Sequence, residues 1–328
     1  MSVADKVRIG FVGAGGIARA HVDALSVVPD AEIVAITDAS REAADALASK
    51  TGAIVYDSAE ALAKNAGVDA LFILLPPFAH GDAERAALDA RLPFFCEKPV
   101  GMDAEQLNEF AAEVEKLDLL TSVGYMNRYR HSVNRVKDLL TNEPPILAFG
   151  GWWGGSPGNH PWWTNKSKSG GQFHEQATHT VDIARYLFGE AVEVYAAAAN
   201  GFNKGIPNYT MDDAASVTIR FANGGIANLM TSASSNAGGR IFLDLHSLSH
   251  NFHFTEWENN VVIKTKGSDP EEIKGEEGIF SIEDAAFVAA VKSGDRSGIK
   301  STYADGVKTS LISIASNLSL ETGKPVSL

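Results

Sequence analysis

Residues 7–18 read Val7-Arg8-Ile9-Gly10-Phe11-Val12 and then Gly13-Ala14-Gly15-Gly16-Ile17-Ala18. The first six have the continuous apolar character of a strand buried on both faces. The next six have the form G-x-G-x-x-A. In that form the first glycine makes a tight turn, the second lets backbone N–H groups approach a pyrophosphate, and the small last residue lets a new helix pack closely on the strand. A helix opening there offers unsatisfied N–H donors and the positive end of its dipole to an anion.

Working outward, Asp38 stands twenty residues after Ala18, at the end of the apolar run Glu32–Thr37. A carboxylate in that place accepts ribose hydroxyls, so strand, glycine turn, helix and acid together read as a dinucleotide site. Gly13, Gly15, Gly16 and Ile17 are expected at the phosphates, and Asp38, Ala39 and Arg41 at the ribose end. The Asp38 charge favours NAD by repelling a 2′-phosphate. Arg41, three residues on, is able to neutralise such a phosphate and leaves NADP open.

The βα alternation continues through residue 120. Ile17–Val28 and Ser40–Lys50 have helical spacing, with Ser40 as an N-cap. Ala70–Leu75 is a central strand stopped by Pro76 and Pro77, His80–Arg91 is helical, Pro93–Cys96 is a strand and Ala104–Leu117 a helix. Repeated βα units imply a doubly wound parallel sheet. Beyond Thr121 the pattern changes. Helices are expected at Ser132–Leu140 and Glu175–Phe188, and alternating runs at Ser216–Phe221, Ile226–Thr231, Ile241–Leu245 and Asn251–Thr255. Asn223-Gly224-Gly225 supplies a hairpin turn, and Ser281-Ile282-Glu283-Asp284 reads as a capping box opening a helix to Lys292. The fold class is therefore α/β: an N-terminal Rossmann domain, residues 1–121, and a C-terminal α+β domain, residues 122–328, with a large, mostly antiparallel, open-faced sheet.

Composition narrows the functional classes. Hydrophobic residues make up 45% and charged residues 21% of the 328, the balance of a globular protein in water. No apolar run reaches the ~20 residues that cross a bilayer. The apolar start is too short for a secretory signal, and a cytoplasmic location is expected. A net charge of −13 disfavours nucleic acid and anionic membrane as partners. Cys96 is the only cysteine and the histidines form no zincin motif, so no metal is expected.

Three further segments carry a resemblance. They are Glu97-Lys98-Pro99, the stretch Gly124-Tyr125-Met126-Asn127-Arg128-Tyr129, and Gly170-Gly171 followed by Glu175, His179 and Asp182. With the glycine motif they resemble the glucose–fructose oxidoreductase, inositol dehydrogenase and MocA family of NAD(P)-dependent oxidoreductases, over essentially the whole chain. The resemblance implies hydride transfer between a nicotinamide cofactor and a secondary alcohol or ketone of a sugar, polyol or sugar derivative. It places Lys98 beside substrate and nicotinamide, makes His179 the proton carrier, and aligns Glu175 with a family aspartate. It also puts Leu75, Pro76, Pro77 and His80, with Glu97, on the nicotinamide side of the cofactor. Lys98–Pro99 becomes a candidate cis peptide, and a homodimer or homotetramer through the C-terminal sheet is implied.

The chemistry of the side chains agrees. Histidine takes a hydroxyl proton near neutral pH, and a lysine stabilises a developing alkoxide. Glu175 and His179, i and i+4 on one expected helix, share a face, and Asp182 is placed to orient the histidine ring. Residues 150–168 hold Trp152, Trp153, Trp162 and Trp163 with His160, Asn165, Lys166 and Lys168. Indole faces stack on the C–H side of sugar rings, which makes Trp152, Trp162 and Trp163 candidate substrate contacts, with packing in the core or an oligomer interface as the alternative reading. The resemblance adds Tyr125, Asn127 and Arg128 to the substrate contacts, with an ion pair as the equal alternative for Arg128. Two other functions share these motifs: a glycosidase that oxidises its sugar transiently with bound NAD, and a non-catalytic dinucleotide-binding regulator.

Overall fold

In the computed structural model, which describes residues 6–155 and 161–328, the run Val7–Val12 is the first strand, β1. It passes through Gly13 into α1 (Gly16–Leu25). The rhythm continues with β2 (Ala31–Thr37), α2 (Arg41–Thr51), β3 (Ile54–Val55), α3 (Ala59–Asn65), β4 (Ala70–Ile73), α4 (Asp82–Ala90), β5 (Phe94–Cys96), α5 (Ala104–Lys116) and β6 (Thr121–Val123). The strands pair in parallel in the order β3-β2-β1-β4-β5-β6. The direction of winding reverses between β1 and β4, so the carboxyl ends of these two strands form the crevice where α/β sheets bind ligands. Gly13 follows one and Leu74 the other. The core beneath them is built from Ile9, Phe11, Phe72 and Phe95, all fully buried.

This sheet and its helices belong to one compact unit, residues 1–126, which also takes in residues 278–307. The division at 121 expected from the sequence lacks that return, because helix Ile279–Ser293 adds Phe287 and Val288 to the same core. The capping box expected at Ser281 is absent. The helix starts at Ile279 behind Gly278 in the left-handed conformation (φ 66°), and Ser281 lies in the first turn with its N–H on the Gly278 carbonyl. Ser40 does cap α2, accepting from the Ala43 N–H at 3.3 Å. α4 begins two residues later than expected: Gly81 (φ 124°) breaks the chain direction, leaving His80 outside the helix.

The second unit comprises residues 127–277 and 308–328. Its elements are α6 (His131–Leu140), β7 (Leu147–Gly155), α7 (Lys166–Ser169), α8 (Gln172–Glu175), α9 (Thr178–Phe188), β8 (Ala191–Ala199), β9 (Ala214–Phe221), β10 (Ile226–Ser232), β11 (Ser235–His246), β12 (His250–Thr255), β13 (Asn260–Thr265), β14 (Glu271–Ile273) and β15 (Val326–Ser327). The nine strands run in the order β14-β13-β12-β11-β7-β10-β9-β8-β15. The pairings are antiparallel except β7 with β10. Alternation decides the faces: Val217, Ile219 and Phe221 turn inward with Leu229, Leu243 and Phe252 and are covered by α6, α9 and the C-terminal part of helix Tyr303–Thr322. The other face is bare, with Leu147, Phe149, Tyr195 and Ile226 each 40–45% exposed.

The expected helix Glu175–Phe188 is two helices. The Ala177 N–H bonds the Gln172 carbonyl five residues back, and the Thr180 N–H reaches only to Ala177, so the ladder is interrupted between Glu175 and Thr178. Glu175 closes α8 and His179 lies in the first turn of α9. The i, i+4 argument for a shared face therefore does not hold.

Candidate functional site

In the first unit the phosphate cradle forms as the motif requires. Gly13 has φ 111°, and a Cβ there would lie 2.4 Å from the Leu74 carbonyl oxygen. A Cβ on Gly15 would meet nothing within 4 Å, so the space above the loop is open. α1 starts with no side-chain cap and no acid in its first turn, which leaves its N–H donors to an external anion. Gly16 and Ile17 begin that turn. Asp38 closes the other side: its carboxylate accepts the Ala14 N–H at 2.7 Å and the Ser40 N–H at 2.7 Å, tying the end of β2 to the loop. Each oxygen keeps a lone pair for a ribose hydroxyl. Ala39 is exposed beside it. Arg41 turns away into ion pairs with Asp45 (2.9 Å) and Asp57 (3.6 Å).

The Glu97-Lys98-Pro99 segment follows β5, and the Lys98–Pro99 peptide is cis. The Glu97 carboxylate accepts the Lys98 N–H at 3.0 Å, and Gly124 packs so closely that a Cβ there would sit 2.7 Å from it. Behind Glu97 lies a residue the sequence reading passed over. His21, on α1 and fully buried, stands 3.1 Å from Glu97 Oε1 through Nε2 and 3.0 Å from both Asp284 oxygens through Nδ1. Burial works to lower the His21 pKa, but the charge and hydrogen bonds of Asp284 and then Glu97 outweigh it and raise it to about 10. The ring is a buried imidazolium between two carboxylates, linking α1, helix Ile279–Ser293 and the Glu97–Lys98 turn. The only sequence signal was a histidine on the apolar side of α1.

Around the Leu75-Pro76-Pro77 turn, His80 Nε2 donates to the Leu75 carbonyl at 3.1 Å and Nδ1 lies 2.5 Å from Glu84 Oε1. Cys96 Sγ stands 3.5 Å from the same carboxylate. Burial works to raise the Glu84 pKa and the adjacent His80 ring outweighs it, leaving Glu84 below the usual carboxylate range; burial pushes the Cys96 thiol well up. Histidine, glutamate and cysteine together are a potential ligand set. Two ligands of one tetrahedral ion lie about 3.3 Å apart, so the short His80–Glu84 contact fits a shared proton better than an ion.

In the second unit His179 is 7% exposed and its ring meets Trp152 (centroids 6.5 Å apart) and Trp257 (5.4 Å, interplanar 85°). Trp152 and Trp257 are themselves 5.7 Å apart. Glu175 belongs to a second contact, accepting the Trp163 indole N–H at 2.7 Å. Trp162 is half-buried in the turn before α7, and His160 lies outside the described residues. Gly170 (φ 72°) and Gly171 (φ 86°) join α7 to α8, with Gly170 pressed on the His174 ring.

Asp182 does not face the His179 ring as its expected orienting partner. Its carboxylate is taken by Arg128, at 2.8 Å from Nε and 2.6 Å from Nη2, and by the Thr309 hydroxyl at 2.9 Å. Arg128 is thereby a buried ion-pair residue, and Asn127 is buried with its Oδ1 accepting from Arg130 at 2.8 Å. Tyr125, 1% exposed, is buried in the first unit. Trp257, at the tip of the β12–β13 hairpin, is the aromatic residue the sequence reading missed; its one signal is a large apolar side chain among the turn residues Glu256, Glu258 and Asn259.

Comparison with known proteins agrees with this architecture. Residues 7–125 match an oxidoreductase family with an NAD-binding Rossmann fold, GFO_IDH_MocA, and residues 147–255 match the GFO/IDH/MocA C-terminal domain. Inositol 2-dehydrogenase of Rhizobium meliloti is 31% identical over 73% of this chain and 73% of its own length. The uncharacterized oxidoreductase YrbE of Bacillus subtilis is 30% identical over 66% of this chain, which spans 64% of that protein. Levoglucosan dehydrogenase, solved with NADH and levoglucosan, shares the fold with a TM-score of 0.87 at 19% identity, over 98% of this chain and 99% of that one.

Proposed function

The chain belongs to the GFO/IDH/MocA family of oxidoreductases, and from that premise we propose that it moves hydride between NAD and a secondary alcohol or ketone of a cyclic sugar, polyol or sugar derivative. The observation that carries the reading is the open, uncapped glycine loop of the first unit, closed by Asp38; the second unit adds a buried histidine set among indole rings. Bound NAD supplies the hydride acceptor. Gly13, Gly15, Gly16 and Ile17 hold its pyrophosphate through backbone N–H groups, and Asp38 accepts ribose hydroxyls and disfavours a 2′-phosphate. Arg41, engaged with Asp45 and Asp57, supports NAD over NADP.

In the oxidative direction the carbinol C–H electron pair leaves as hydride, the hydroxyl proton passes to His179, and a ketone forms. Lys98 donates a hydrogen bond to the developing alkoxide. The Glu175 carboxylate accepts the Trp163 indole N–H. A panel of cyclic sugars and inositols, assayed with NAD and NADP by nicotinamide absorbance, tests the reading. Turnover with NAD is expected, and kcat falls by about 10²–10⁴ in His179→Asn with NAD affinity retained. No absorbance change across the panel overturns it, and glycosidic cleavage without net NADH would move the chain to the glycosidase alternative.

The bare face of the second unit's sheet supports assembly of the chain with copies of itself. Leu147, Phe149, Tyr195 and Ile226 give it an apolar surface that single surface residues elsewhere do not.

A further inference from the structure

Trp257 sits where a hairpin turn ordinarily carries polar residues. Thr255 pairs with Asn260, so residues 256–259 make the turn, and two of its four residues, Glu256 (φ 65°) and Asn259 (φ 54°), take left-handed backbone conformations. Such a turn costs strain and keeps its shape only when its surroundings fix it. Here they do. Arg130, 1% exposed, donates from Nη2 to the Trp257 carbonyl at 3.3 Å, from Nη1 to the Glu276 carbonyl at 2.5 Å and from Nε to Asn127 at 2.8 Å. The Asn259 side chain donates to the same Trp257 carbonyl at 3.2 Å. The Glu258 carbonyl lies against Gly275, where a Cβ would come within 1.6 Å of it.

The buried guanidinium is spent chiefly on backbone carbonyls, with the Glu276 and Glu258 charges offsetting part of its burial. Its effect is to hold one indole. That indole meets the His179 ring at a right angle and stands across from Trp152 at an interplanar angle of 68°. Trp152, Thr255 at the end of β12 and Glu256 in the turn also border a neighbouring cavity of about 510 Å³, lined further by Trp153, Arg240 and Ile241, a volume in the range of small-molecule sites.

We infer that Trp257 is a specificity-determining residue: with Trp152 it forms an aromatic corner beside His179 that receives the C–H face of a cyclic polyol or pyranose. This rests on the sugar-oxidoreductase reading above. An aromatic face accepts a ring side carrying axial hydrogens and rejects one carrying an axial hydroxyl, which would be desolvated without a partner. Trp257 thereby selects among epimers, while the proton transfer belongs to His179.

The test compares wild type, Trp257→Ala and Trp257→Phe on each sugar or inositol that wild type turns over and on its epimer with one inverted hydroxyl. NAD binding is titrated in parallel, and the folded state is checked by thermal melting. Trp257→Ala is expected to raise KM about tenfold and to shrink the kcat/KM ratio between epimers, with NAD affinity unchanged. Trp257→Phe, which keeps an aromatic face, restores most of both. Unchanged KM and epimer ratio in Trp257→Ala, with wild type active, overturn the role of Trp257 and leave the proposed reaction standing. Equal losses in the Ala and Phe variants show a packing role only and also overturn it. A wild-type chain inactive on the whole panel removes the reaction and this inference together.

Discussion

His21 and Asp284 form a buried ion pair in which one ring nitrogen lies 3.0 Å from both carboxylate oxygens. With the folded-state pKa of His21 raised from 6.5 to about 10, the folded protein holds a proton that the unfolded chain releases. The stabilisation is fully present below pH 6.5 and is lost progressively as pH rises through about 10. At most it is on the order of 5 kcal/mol. Melting temperature measured from pH 6 to 10 should fall with pH in wild type, and this slope should flatten in His21→Gln. A pH-independent wild-type melt across that range would remove the charged assignment.

Gly13 and Gly15 make different demands, and their alanine variants separate them. Gly13→Ala forces a side chain into φ 111° and against the Leu74 carbonyl, with an expected loss of about 1–3 kcal/mol of stability as well as of cofactor binding. Gly15→Ala meets no protein atom, and φ at Gly15 is −75°, so the melt should stay near wild type while NAD affinity falls. Calorimetric melting and NAD titration of the two variants check this. Equal NAD affinity in Gly15→Ala and wild type would place the pyrophosphate elsewhere.

Arg128→Met leaves the Asp182 charge buried with only the Thr309 hydroxyl. A loss of about 3–5 kcal/mol follows, whereas replacing both members by apolar residues should recover much of it. Urea unfolding of the single and double variants gives the comparison. A single variant as stable as wild type would show that Asp182 does not depend on this partner.

The first unit was legible because its chemistry repeats locally. Buried strand, glycine turn, amphipathic helix and strand-end acid each announce themselves within a dozen residues, and Asp38 and Lys98 sit at strand ends fixed by that rhythm. The second unit was less so. Phe173, Ala177, Val181 and Ala184 keep helical spacing across the break between α8 and α9, and periodicity does not register which carbonyl an N–H chooses. Partners distant in sequence were hidden altogether: Asp182 for Arg128, Asp284 for His21, and the β12–β13 turn that brings Trp257 to His179.

On the bare sheet face, Phe149 packs against Phe242 with ring centroids 5.5 Å apart, and Arg240 stacks over Phe242. A charge placed there should not disturb the covered face. By light scattering wild type is expected to be a dimer or tetramer, and Phe149→Asp or Tyr195→Asp a folded monomer. A wild-type monomer would remove the assembly proposed for this face.

In the proposed NAD site Asp38 would perform two tasks with one carboxylate, since the oxygen that meets the Ala14 N–H is part of the group offered to the ribose. An evolutionary route from NAD to NADP must therefore cross a double barrier. Removing the charge to admit a phosphate also unties the glycine loop that carries the pyrophosphate. Lineages changing cofactor would need a replacement tether for Ala14 early, before any arginine at the ribose end brings an advantage.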